Sequence, residues 1–125
     1  MNKRVVIALV LLVASAFAVF GQQAVIREMS GQVQVKPVGG FWTDARQGMR
    51  LELDAMISTG FGATAVLEIG DAVINVSPIT RLALNELSQQ GNTRNTDVFL
   101  RVGRIETEVK SSEGIENDFK VRSPY

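Results

Sequence analysis

Paired acidic residues are the first places in this chain where chemistry could be done. Glu52 and Asp54 are two positions apart, as are Glu106 and Glu108. On a β-strand such neighbours share a face at about 6–7 Å. Carboxylates about 5–9 Å apart across a cleft can hydrolyse glycosides. The plainer reading is a solvated sheet face with Arg101 and Arg104 nearby, and it is preferred. Glu113, Glu116 and Asp118 offer oxygen ligands, but the regular D-x-[DN]-x-[DN]-G calcium loop is missing. Gly60-Phe61-Gly62-Ala63-Thr64-Ala65 fits the loose dinucleotide pattern G-x-G-x-x-A. That pattern works when a helix follows and its free amides hold the pyrophosphate. Here a period-two segment follows, so the glycines read as a turn between strands.

Composition removes whole reaction classes. The chain has no Cys and no His. Thiolate chemistry, zinc sites built on Cys or His, and His-based triads are therefore excluded. Serines occur without a G-x-S-x-G elbow. The sequence thus predicts no enzyme, no catalytic residue, no metal and no cofactor.

What remains is binding. Phe41-Trp42 carries the only Trp, beside the turn signal Gly39-Gly40. An exposed Trp there could stack on a glycan or a protein, while a buried one would plug an end of the core, the preferred reading. The candidate binding residues are Trp42, Phe61 and, in the polar segment Gln89–Asn95, Asn92 and Arg94.

The elements that must position them are β-strands almost throughout. Val33 and Val35 alternate with polar neighbours and share one face. Phe41-Trp42-Thr43 reads as a short strand and Asp44–Gly48 as a loop. Met49 and Leu53 are four apart, which leaves a helical turn as a minor reading, with Gly48 against it. Ala65, Leu67 and Ile69 point inward, as do Ile74 and Val76, then Leu82 and Leu84. Gln89–Asn95 reads as a long hairpin loop. Val98, Leu100 and Val102 share one face, and Ile105, Thr107 and Val109 the next. Parity changes between them at Gly103-Arg104, which predicts a bulge or bend. Lys110–Asn117 reads as a loop, and the last strand turns Phe119 and Val121 inward. Strands about every ten residues predict an all-β fold, a β-roll or solenoid-like domain or a β-sandwich.

The chain starts Met1-Asn2-Lys3-Arg4 and continues apolar from Val5 to Phe20, with Ser15 as the one polar interruption. A basic head, an apolar middle and a small-residue boundary read as an export signal over 1–21, expected as a helix. The apolar run is shorter than the roughly 20 residues of a membrane-spanning helix. The domain then spans 22–125 and is extracytoplasmic, periplasmic or secreted, with membrane contact only through the signal or an uncleaved anchor. Lys3 and Arg4 belong to that leader, so the remainder is slightly acidic. This argues against a nucleic-acid partner, whose binders cluster Lys and Arg to displace counterions.

The stretch Gly31 to Pro124 resembles the FecR-like domain, named after the ferric-citrate transport regulators. The matching residues are Gly31-Gln32-Val33-Gln34-Val35, Trp42, Gly48-Met49-Arg50-Leu51, Ile57-Ser58-Thr59-Gly60 and Ala65-Val66-Leu67. Leu82-Ala83-Leu84, Val102-Gly103-Arg104-Ile105 and Phe119-Lys120-Val121-Arg122-Ser123-Pro124 complete the ordered set. Gly48-Met49 stands where the family has Gly-Asp. In the family the last strand continues into an Ala-rich segment and a V-R-G-T motif, so the resemblance implies a domain truncated near Tyr125, with an open β edge. It implies an exported, non-enzymatic binding or scaffold module for a protein or a cell-envelope glycan. The alternative is a membrane-anchored signal-relay regulator of the FecR type. The family's sigma-factor control is not carried over, because only Met1 to Arg4 precede the apolar run.

Overall fold

The computed structural model describes residues 23–110 and 113–124. The leader expected over 1–21 lies outside them. The described residues are all-β, with no helix. A five-stranded sheet has the order β10-β7-β6-β1-β4, and a six-stranded sheet the order β11-β9-β8-β5-β2-β3. The first comprises β1 (Ala24–Ser30), β4 (Arg50–Leu51), β6 (Thr64–Ile69), β7 (Ala72–Val76) and β10 (Ile105–Val109). The second comprises β2 (Val33–Lys36), β3 (Thr43–Asp44), β5 (Met56–Thr59), β8 (Arg81–Gln90), β9 (Thr93–Val102) and β11 (Glu116–Arg122).

Period-two patterning builds the core where the sequence places it. Val33, Val35, Ala65, Leu67, Ile69, Ile74, Val76, Leu82 and Leu84 are all buried in one cluster that draws on both sheets. Each large aliphatic side chain taken from water there contributes about 1.5–3 kcal/mol.

Several expectations are corrected. The segment Gln89–Asn95 is not a long loop. Strands β8 and β9 stay paired to the Gln90–Thr93 rung and turn on Gly91-Asn92 alone. Gly91 has φ +59°, as the first central residue of a two-residue hairpin turn can require. The short strand near Trp42 is Thr43–Asp44, so Phe41 and Trp42 precede it and Asp44 belongs to it. The minor helical reading over Thr43–Leu53 is replaced by a turn at Arg46–Met49 and strand β4. Strand β11 begins at Glu116, inside the expected loop.

Inward parity does not always give burial. Thr107, Val109 and Val121 have the expected register but remain exposed. Strands β10 and β11 are sheet edges, where the opposing sheet runs out.

Three register shifts explain where simple alternation fails. In β1 the register jumps between Ile26 and Glu28, which leaves Arg27 as the extra residue. In the β8–β9 ladder it jumps between Leu84 and Glu86, so Leu84 and Leu87 are both buried although three apart. It jumps again between Arg81 and Leu82, where Arg101 is the extra residue and Val102, expected inward with Val98 and Leu100, turns out beside the exposed Arg81.

Candidate functional site

Of the places where the chain crosses between the sheets, those at 31–32, 60–63, 77–80 and 103–104 are bonded to one another and form a row of four corners at one end of the fold. Their contacts are specific. The Gly60 N–H donates to the Gln32 carbonyl at 3.0 Å, and the Ile79 N–H donates to the Gly60 carbonyl at 3.2 Å. The Ser77 N–H donates to the Arg104 carbonyl at 3.1 Å.

Two buried threonines tie the corners together. The Thr59 hydroxyl donates to the Ser77 carbonyl at 2.7 Å and accepts the Thr80 N–H at 3.0 Å. The Thr80 hydroxyl accepts the Arg104 N–H at 3.1 Å and lies 3.3 Å from the Arg104 carbonyl. These bonds satisfy polar backbone groups that a crossing strand would otherwise bury unpaired.

The predicted bend at Gly103 is the last of these corners. Gly103 has φ +97°, and a Cβ there would lie 2.6 Å from Thr80 Cα and 2.7 Å from the Ile79 carbonyl oxygen. Only glycine fits this approach.

On this tied platform stand three large apolar side chains that face solvent. Phe61 is 91% exposed, Val102 55% and Ile79 52%. Each lies in a corner or beside one. Phe61 follows Gly60, which bonds Ile79, and Val102 precedes Gly103, which abuts Ile79 and Thr80. Ile79 also has φ +53°. That left-handed conformation is uncommon for any non-glycine residue and an outlier for a β-branched one. Strain of this kind clusters at functional positions.

The sequence-predicted residues do not converge on one site. Phe61 belongs to the corner end. Asn92 forms the β8–β9 turn, and β8 between these ends is 10 residues long, so roughly 33 Å separates them. The Asn92 carbonyl accepts the Glu116 N–H at 2.7 Å, joining the turn to β11. Arg94 faces the other sheet and pairs with Asp71 at 2.7 Å, while Asn117 Nδ2 reaches the same carboxylate at 3.4 Å. Its position fits a clamp across the two sheets. Trp42 is half-buried and outside the core cluster, with the Arg81 guanidinium 5.1 Å from its ring centroid. It is therefore not a core plug.

The acidic pairs are exposed. Glu52 and Asp54 lie in the connection after β4, not on a strand. Glu106 and Glu108 share the outer face of β10, across from Asn75 and Val73. The glycine pattern at Gly60–Ala65 is a turn leading into strand β6, with the Ala63 N–H bonded to the Gly60 carbonyl at 3.2 Å. Among the described residues no acidic cluster has a metal-binding arrangement.

A second apolar feature escaped the sequence reading. A cleft of about 340 Å³ opens where β3 and β4 end the two sheets, lined by Val35, Val38, Met49, Leu51 and Leu53, with Arg50 at its rim. Ile79 and Val102 were missed as well. The available signal was the parity change at Gly103, which marks a corner without saying which other corners it meets. Compared with known protein families, with curated proteins and with solved structures, the chain matches none.

Proposed function

We propose that this chain is an exported, non-enzymatic binding module of FecR-like type, whose corner end docks on an apolar surface of a protein partner in the cell envelope. The observation that carries the reading is the exposed set Phe61, Ile79 and Val102 on a hydrogen-bonded corner. Apolar side chains presented on a rigid base lose little conformational entropy on binding, which favours them as contact anchors. Ile79 adds a strained backbone position, of the kind that gathers at contact sites. A protein partner suits this surface better than a glycan does, since a glycan needs aligned polar groups beside the aromatic ring.

The test is photo-crosslinking in cells that express the full chain, with the crosslinker at Phe61 and, as a control, at Asn92. A discrete adduct from position 61 that Val102→Asp abolishes supports the reading. Equal labelling from both positions overturns it. Mass spectrometry of the protein's N-terminus decides the export step. An intact Met1 in the membrane fraction favours the anchored signal-relay alternative.

A further inference from the structure

We propose that strand β11 is a self-pairing edge, through which two copies of the chain join antiparallel about Phe119. Among the described residues β11 has one strand neighbour, β9, which runs parallel to it. The Glu116 N–H donates to the Asn92 carbonyl across that ladder. In a parallel ladder the bonding residues alternate. Glu116, Asp118, Lys120 and Arg122 therefore bond β9, and the N–H and C=O groups of Asn117, Phe119 and Val121 point to the free edge.

The side chains select a second copy as the occupant. Glu116, Asp118, Lys120 and Arg122 share the face of β11 opposite the half-buried Phe119, in the charge order minus, minus, plus, plus. Antiparallel pairing centred on Phe119 sets Glu116 against Arg122 of the second copy and Asp118 against its Lys120. The two-fold axis repeats both pairs. A shift by two residues in either direction places Asp118 against Asp118 or Lys120 against Lys120. In-register parallel pairing opposes every like charge. A one-residue shift would bring the charged face against the apolar face. Opposite charges directly across a sheet stabilise and like charges destabilise, so one register is singled out.

The other face fits the same arrangement. Phe119 meets its copy at the axis, and Val121, 43% exposed, lies opposite Asn117 of the second copy with that copy's Phe119 on the diagonal. Within one chain Lys120 and Asp118 stand 3.7 Å apart with both side chains exposed, a weak pair that is free to exchange. Arg122 holds Asp97 through one nitrogen and has further N–H donors to offer. The contact is one strand wide, which suits a reversible dimer rather than an obligate one. The joined edges form a continuous sheet across both copies.

Sedimentation velocity over a concentration series tests this with charge exchange. The unaltered protein should show a monomer–dimer equilibrium that weakens as salt rises. Asp118→Lys alone opposes Lys to Lys, and Lys120→Asp alone opposes Asp to Asp. Each should weaken the dimer about tenfold or more. The double exchange Asp118→Lys with Lys120→Asp should restore it, and an equimolar mixture of the two single variants should form a heterodimer. Restoration on mixing separates pairing from any effect on folding. A monomer at every concentration, as when a further strand covers the edge, overturns the proposal. So do single variants that dimerise like the unaltered protein, or a mixture that fails to recover.

Discussion

Ile79 carries the clearest conflict between local preference and observed structure. Its φ of +53° costs a β-branched residue about 1–2 kcal/mol, and its side chain is half in solvent. Glycine removes the steric cost and loses little buried area, at the expense of greater freedom in the unfolded chain. Ile79→Gly is therefore expected to leave stability unchanged or raise it by about 1 kcal/mol, read as the urea midpoint. The same change should weaken the crosslink from position 61. Stability gained together with binding lost is the signature of a residue kept for contact. A variant destabilised by more than about 2 kcal/mol would instead mean that the Ile79 side chain supports the fold. Phe61 was legible as a candidate in the sequence because an aromatic between two glycines has few neighbours to bury it. Ile79 was not, since nothing in Ser77-Pro78-Ile79-Thr80 announces a left-handed isoleucine.

At the scale of elements, the corners matter more than the strands they join. Gly103→Ala combines an unfavourable φ with a Cβ inside the contact distance of Thr80 and Ile79. We expect it to cost about 3 kcal/mol or more in urea unfolding. Gly91→Ala separates the two causes. Gly91 has φ +59° but open space around it, so only the backbone preference of about 1 kcal/mol is lost. Equal costs at the two positions would show that the close approach at Gly103 relaxes freely. The strands themselves were largely readable. Alternation located Val33 and Val35, the run from Ala65 to Val76, and Leu82 with Leu84, because inward burial needs nothing beyond period two. Strand β1 is not legible from alternation, because the bulge at Arg27 shifts the pattern midway, from Ala24 and Ile26 to Met29. Alternation puts Thr107, Val109 and Val121 on the inward side with the right parity and the wrong burial. A strand's pattern does not tell whether it is central or an edge; the sheet order decides that.

For the whole molecule, the sheet order sets how folding must proceed. Hairpins β6–β7 and β8–β9 join strands adjacent in sequence, and hairpins of this kind form in about 1–10 μs. Most other pairings are distant. Strand β1 pairs with β4 and β6, β5 pairs with β8, and β9 pairs with β11. Loop-closure entropy must be met before these contacts form, so folding is expected over milliseconds to seconds. The corner row adds a condition on cooperativity. Thr59 and Thr80 bond across three crossings, so neither sheet can complete its end without the other. Trp42 lies beside β3 of the six-stranded sheet and stacks on Arg81 of β8, so its fluorescence reports that sheet, while far-UV circular dichroism reports both. After stopped-flow dilution from urea the two signals should follow one rate, and their equilibrium transitions should coincide. Gly103→Ala should shift both transitions together, because it loosens the joint rather than one sheet. A Trp42 phase that completes before the dichroism would mean that the six-stranded sheet assembles alone, and that the corners are made only after both sheets exist.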